Sequence, residues 1–226
     1  MFVIGDIHGA HRALQQCLSR ANFDYEADHL VCLGDVCDGW PDTRSCIEEL
    51  LKIKNLTYIW GNHDHWAFQW MQKGIVENVW VTQGGAATMA SYDESIPSSH
   101  LEFFKKALPY FIWENKLFVH AGIQLDRPLE HQDLKIFSWD RSLVQKAWAY
   151  LLSRDKVKLT TYDEVFIGHT PIPFTRPLQS CEIWMMDTGA GWSGVLSIMD
   201  VATKEIFTSD PVPTLYPGVQ GRASAK

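Results

Sequence analysis

Three times within the first 64 residues the chain repeats one pattern: an apolar run, a glycine, then a cluster of charged and amide side chains. Met1-Phe2-Val3-Ile4 leads into Gly5-Asp6-Ile7-His8-Gly9. Leu30-Val31-Cys32-Leu33 leads into Gly34-Asp35-Val36-Cys37-Asp38-Gly39-Trp40, and Asn55-Leu56-Thr57-Tyr58-Ile59-Trp60 into Gly61-Asn62-His63-Asp64. Apolar runs this short, closed by glycine, read as buried strands. Helical spacing fills the gaps between them. Arg12 to Ala21 puts Leu14, Cys17 and Leu18 on one face, and after Pro41, which suits a first helical turn, Ile47, Leu50 and Leu51 do the same. The order is βαβαβ, which implies an α/β core of parallel strands joined by right-handed crossovers. Parallel strands end on one common edge, where open α/β sheets bind their ligands. That edge collects Asp6, His8, Asp35, Asp38, Asn62 and His63.

The rest of the chain is less regular. Ile75 to Tyr92, with Gly84-Gly85 inside it, is expected to form a partly helical excursion over the site. Ser99-His100-Leu101-Glu102 has capping-box spacing and opens a short helix ended by Pro109. Tyr110 to Trp113 and Lys116 to Val119 read as strands around a tight turn at Glu114-Asn115, the second closing on His120-Ala121-Gly122. Asp133 to Arg141 is ambiguous, and Ser142 to Arg154 reads as a helix striped by Leu143, Ala147, Tyr150 and Leu151. Val165-Phe166-Ile167 is a further strand, closing on Gly168-His169-Thr170-Pro171. Ile183 to Met186, Val195 to Met199 and Glu205 to Thr208 alternate like an antiparallel layer. Residues 211–226, rich in Pro, Gly and small side chains, are expected as an extended C-terminal tail of a single domain spanning 1–226.

With 46% hydrophobic and 12% aromatic residues, the chain can bury a core without disulfides or a structural metal. A net charge of −7 and the lack of a basic stripe argue against duplex nucleic acid and anionic membranes as partners. The five cysteines form no CxxC pair, and Cys17, Cys32, Cys46 and Cys181 read as reduced, packed thiols. No apolar stretch approaches the roughly 18 residues of a membrane span. With a strand beginning at residue 1, no leader segment is expected, and a cytoplasmic location follows.

Collecting the residues that end strands gives Asp6, His8, Asp35, Asn62, His120 and His169, a set suited to Mn, Fe or Zn. Two divalent ions roughly 3.5–4 Å apart need a carboxylate between them and two or three terminal ligands each. The set meets that need if Asp35 bridges. One ion would take Asp6, His8 and Asp35, the other Asp35, Asn62, His120 and His169. A lone Asp or His after a strand is usually a solvated or capping loop residue. Five such clusters in one chain, each beside a glycine, are hard to explain that way.

In this order the motifs resemble those of the calcineurin-like metallophosphoesterases. They are most similar to the branch holding the bacterial and phage Ser/Thr protein phosphatases and the symmetrical diadenosine tetraphosphatases. The resemblance runs from residue 3 to about residue 200. It implies a β-sandwich flanked by helices, with a two-metal centre at the strand ends and Mn as the expected metal, Fe or Zn as alternatives. It also implies phosphate-ester hydrolysis by a hydroxide held between the ions, with His63 as general acid and Asp38 orienting it. The family's second motif continues Asp-Arg-Gly, its arginine gripping phosphate; here Gly39 and Trp40 follow Asp38. Trp139-Asp140-Arg141 resembles the family's second arginine segment, which makes Arg141 a phosphate ligand. Arg44, one turn into the helix after Pro41, is the candidate to replace the lost arginine. Trp40 reads as a core residue or as a stacking wall for substrate. His11, His29, His65, His100 and His131 read as helix-start or surface residues, and Asp187 as packing for the metal loops.

Three functions fit this reading. The first is a protein phosphatase acting on phosphoserine, phosphothreonine or phosphotyrosine. The second is hydrolysis of dinucleoside polyphosphates, as by a bis(5′-nucleosyl)-tetraphosphatase, or of nucleic-acid end phosphates. The third, motivated by the missing arginine, is a metal-loaded binding module with little turnover.

Overall fold

Alternation along the buried strands decides the architecture. The computed structural model describes residues 1–93, 95–151, 153 and 157–222. Its first elements are β1 (Phe2–Ile4), α1 (His11–Arg20), β2 (His29–Cys32), α2 (Thr43–Leu50) and β3 (Asn55–Tyr58). The three strands pair in parallel, Val3 level with Val31 and Val31 with Thr57, as the βαβαβ pattern requires. α3 (Asn62–Lys73) leaves directly from the third strand's loop. α4 (Asn78–Trp80), a π-helical turn at Val81–Gly85 and α5 (Ala86–Ala90) make the helical excursion around Gly84-Gly85.

α6 (Ser98–Lys105) follows, with Pro97 at its N-cap and no side-chain cap, so the capping box expected at Ser99 does not form. β4 (Tyr110–Trp113) and β5 (Lys116–Val119) make the antiparallel hairpin. α7 (Leu134–Trp139) resolves the ambiguous stretch as a helix, and α8 (Ser142–Tyr150) comes next; the expected continuation to residue 154 reaches outside the described residues. β6 (Glu164–Ile167), β7 (Leu178–Ser180), β8 (Ile183–Met185), β9 (Ser197–Asp200), β10 (Ile206–Thr208) and α9 (Val212–Leu215) complete the chain.

The strands form two mixed sheets, ordered β10-β9-β1-β2-β3 and β4-β5-β6-β8-β7. Period-two alternation sends one side chain of each central strand inward and the next outward. Val3, Val31, Phe118, Phe166, Trp184 and Met199 belong to one buried cluster that joins the two sheets. Phe118 stacks on Phe166 with centroids 4.8 Å apart, and Phe166 on Trp184 at 6.4 Å. Phe2, Ile4, Leu30 and Cys32 face the other way, onto α1 and α2 residues such as Leu14, Cys17 and Ile47. Leu117, Val119, Val165 and Ile167 face outward onto Leu143, Val144 and Ala147 of α8. Helices therefore cover both outer faces of a sandwich.

Three expectations change. The last strands do not form one antiparallel layer. β8 joins the second sheet parallel to β6, while β9 and β10 pair antiparallel in the first. The short strand β7 was not expected. The segment after Pro211 is not a simple extension either. It includes α9, Tyr216 is buried against Trp40 with ring centroids 5.1 Å apart, and the Tyr216 hydroxyl donates to Asp42 Oδ2 at 2.7 Å. Among the described residues no helix is long and apolar enough to cross a membrane.

Candidate metal centre

The turns that follow β1, β2, β3, β5 and β6 meet at one place, and the backbone is strained to bring them there. His8, Asp35, Asp38 and His169 have φ of 52°, 49°, 72° and 62°, the left-handed region. Each costs about 1–3 kcal/mol for a residue with a Cβ, and such positions persist only where surroundings over-determine them. Here they are. Ile7 and His8 donate their N–H groups to the Asp35 carbonyl at 3.1 and 2.9 Å, and Gly168 donates to the His120 carbonyl at 2.9 Å. The His169 N–H donates to the Asp6 carboxylate at 3.0 Å and the His63 N–H to Asp35 Oδ1 at 2.9 Å. Two glycines are needed for this approach: a Cβ on Gly61 would strike the Asp35 carboxylate, and one on Gly168 the Asp6 carboxylate.

The result is two buried clusters with metal-ligand geometry, Asp6/His8/Asp35 and Asp35/His120/His169, sharing Asp35. The histidines are oriented through their far ring nitrogens, as metal ligands usually are. His8 Nδ1 faces the Cys37 and Asp38 carbonyls, each at 2.9 Å, so it carries the hydrogen and leaves the Nε2 lone pair for the site. His120 Nδ1 faces the Leu33 carbonyl at 2.7 Å. Its Nε2 lies 3.0 Å from Asn62 Oδ1, so two lone pairs face one another, which a cation bound by both relieves. His169 Nε2 and Asp187 Oδ2 are buried without a hydrogen-bond partner.

Electrostatics point the same way. Burial lowers all four histidines, His120 to about 4 and His63 to about 3, so each ring is neutral and able to donate a lone pair. Burial, reinforced by Asp187 and by Asp35 itself, raises Asp6, and burial raises Asp35 to about 6. Clustered acids with so little cationic company are held at the cost of their charge; divalent cations would supply the missing countercharge. The donor set of carboxylate, imidazole and amide oxygen fits Mn, Fe or Zn.

Beside the candidate ligands sits the expected pair. His63 Nδ1 lies 2.6 Å from Asp38 Oδ2, and both side chains are buried. Burial pushes His63 down to about 3 and Asp38 up to about 7, so burial disfavours the charged form of each. Trp80 Nε1 and Thr88 Oγ1, from the helical excursion, donate to the two Asp38 oxygens, each at 2.7 Å. Asp64 has a part the motif did not announce. Its carboxylate accepts from the N–H groups of Asp35, Val36 and Gly61 at 2.8, 3.1 and 3.0 Å and from the Tyr58 hydroxyl at 2.7 Å. It binds the second loop to the third.

A family model described as "Calcineurin-like phosphoesterase" matches residues 1–194. The chain is a calcineurin-like phosphoesterase. Serine/threonine-protein phosphatase 1 of Salmonella typhimurium is 26% identical over 203 residues, covering 88% of this chain and 90% of that one. The asymmetrical bis(5′-nucleosyl)-tetraphosphatase PrpE of Bacillus cereus strain Q1 is 27% identical, covering 96% of this chain and 95% of that one. Among solved structures, a protein serine/threonine phosphatase from Saccharomyces cerevisiae superposes with a TM-score of 0.61 at 14% identity, over 98% of this chain and 82% of that one. That likeness shows the fold. Membership in the family makes the protein a metal-dependent hydrolase of phosphoesters.

The phosphoesterase opens its centre into a cleft of about 380 Å³, lined by Asp35, Asn62, His63 and His169 together with Trp66, Trp139 and Trp192. The tryptophans pack edge-on to the site's imidazoles: Trp66 on His63 at 5.2 Å, Trp192 on His8 at 5.9 Å and Trp139 on His169 at 6.1 Å. Arg141 lines the cleft where expected, its charge bearing on His120 and His169. Arg44 does not reach it. It lies on the exposed side of α2, paired with Glu48 at 3.0 Å four residues on. The second cleft arginine is Arg222, from a stretch where the sequence carried no signal beyond composition. Trp40 is buried in the core and donates to the Ala190 carbonyl at 2.7 Å, which removes it from the cleft. His100, expected at a helix start or at the surface, lies in the first turn of α6, buried and bonded to the Tyr92 hydroxyl at 2.7 Å. His65 stacks on Trp60 at 4.4 Å, and Asp187 accepts from the Gly189 N–H at 2.9 Å.

Proposed function

We propose that this phosphoesterase hydrolyses phosphate monoesters on protein side chains, phosphoserine, phosphothreonine and phosphotyrosine, with two divalent cations sharing Asp35. Manganese is the first candidate, and iron or zinc the alternatives. The observation that carries the reading is the pair of ligand clusters meeting at one aspartate, with the His63/Asp38 pair on the same cleft. Asp6 and His8 would complete one ion's shell, and Asn62, His120 and His169 the other's. When bound, the ions supply a nucleophile from water at neutral pH and neutralise the phosphoryl oxygens. Arg141 binds those oxygens and holds them as charge shifts toward the leaving group. His63, held through Nδ1 by Asp38, presents Nε2 to the leaving alkoxide and gives it the proton carried on Nε2, while the hydrogen between Nδ1 and Asp38 stays in place. The relative named serine/threonine-protein phosphatase 1 supports this substrate class.

A second reading is hydrolysis of dinucleoside polyphosphates. Trp66, Trp139 and Trp192 line the cleft and suit stacking on a base, and relatives named bis(5′-nucleosyl)-tetraphosphatase match nearly the whole chain. A binding module with little turnover finds no support, because the ligand residues and the His63/Asp38 pair all lie together. Turnover of p-nitrophenyl phosphate with and without Mn tests the enzyme. A competition between a phosphothreonine peptide and diadenosine tetraphosphate then separates the substrate classes. Preference for the peptide is expected, and preference for the dinucleotide would replace the first reading with the second.

A further inference from the structure

The family's phosphate-gripping arginine is missing after Asp38, and the residues standing in its place are shaped around another arginine. Gly39, in the arginine's position, has φ 119°, and a Cβ there would lie 3.1 Å from Cγ of Arg222. A side chain at residue 39 and the side chain of Arg222 therefore compete for one space. Trp40, next along, is the platform for the segment that carries Arg222. Its ring stacks on Tyr216, and Gly221 lies so close that a Cβ would meet Cζ2 of Trp40 at 2.8 Å. The Arg222 N–H donates to the Gly191 carbonyl at 2.8 Å, which fixes the chain at the cleft wall.

The guanidinium is aimed with care. Nε donates to the Gln83 carbonyl at 3.1 Å and Nη2 to Gln83 Oε1 at 2.7 Å, while the group lies 4.3 Å above the Trp192 ring. The remaining nitrogen, Nη1, lies 3.3 Å from His8 Nε2, and Arg222 lines the cleft. A guanidinium anchored by one edge, with donors left over in a cleft built for cations and phosphate, is suited to an anion. We infer that Arg222 is this chain's second phosphate-binding arginine, delivered from the C-terminal segment onto a seat made by Gly39 and Trp40. It holds the phosphoryl group opposite Arg141. The inference rests on the phosphoesterase reading of the site.

The test uses the full-length, Mn-loaded protein and reads inorganic phosphate binding by calorimetry beside p-nitrophenyl phosphate kinetics and metal content. Arg222→Ala should weaken phosphate binding and raise KM by about 10- to 100-fold, with metal content unchanged. Arg222→Lys, which keeps the charge but loses the fork on Gln83, should recover part of the affinity. Unchanged phosphate affinity in Arg222→Ala would overturn the inference. Tighter binding or faster turnover would overturn it too, by making the segment an inhibitory plug. If the wild-type protein neither binds phosphate nor turns over the ester, the phosphoesterase reading itself fails; a working wild type with an indifferent Arg222→Ala refutes the inference alone.

Discussion

The two halves of the candidate metal centre are built differently. Asp6, His8 and Asp35 sit on loops leaving neighbouring strands of one sheet, and backbone bonds inside that sheet's edge hold them, such as the His8 N–H on the Asp35 carbonyl. Asn62, His120 and His169 come from both sheets. His120 is tied across the sandwich by its ring bond to the Leu33 carbonyl, and His169 by its N–H bond to Asp6. The first half needs local chain geometry. The second needs the buried cluster that packs Phe118, Phe166 and Trp184 of one sheet against Val3, Val31 and Met199 of the other to hold the two sheets in place. Asp35 belongs to both, so the comparison predicts one residue whose loss is global and others whose loss is partial.

The largest effect belongs to Asp35. Asp35→Ala should take bound metal toward zero and ester hydrolysis to background, whereas Asp6→Asn should leave the Asn62 side of the centre partly loaded. Metal analysis of purified variants checks this, and equal losses would erase the distinction between the halves. His63→Asn comes next, on neither half but beside both. It should lower kcat about 10²- to 10⁴-fold with metal content as in the wild type, if His63 has the proposed role on the leaving group. Loss of metal from this variant would make His63 a ligand instead.

Asp64→Asn sharpens the comparison, because Asp64 holds the shared aspartate's loop from behind. An amide cannot accept from the Asp35, Val36 and Gly61 N–H groups with both of its ends, so metal affinity should fall about 10- to 100-fold while the fold survives. Isotherms for Mn measure it. The smallest effect is one of pH. Burial raises Asp35 to about 6, so a proton competes with metal below that pH, whereas His120, lowered to about 4, is already neutral there. The gain in Tm on adding Mn should be small at pH 5 and grow toward pH 7.5. A gain that does not depend on pH would contradict the raised carboxylate.

The same contrast explains what could be read from the chain. The first three loops were legible because a βαβαβ pattern admits one topology and places all strand ends together. His120 and His169 were legible only as glycine-flanked histidines after strands, and their partnership with Asn62 depends on how two sheets pack. Arg222 was not legible. Nothing near it in sequence marks it, and its place depends on the stacking of Tyr216 upon Trp40 and on the room left by Gly39. Arg44 failed for a simpler reason: helix spacing gave its distance from Asp38 but not the face of α2 it occupies, and Glu48 lies within reach on the solvent side. The split of the final strands between two sheets was hidden because alternation reports burial and not the partner.

The most direct test is a crystal of the Mn-loaded protein with anomalous diffraction collected at the Mn edge. Two peaks roughly 3.5–4 Å apart, with the Asp35 carboxylate between them, are the predicted result. A single peak, or two that do not share Asp35, would contradict the account.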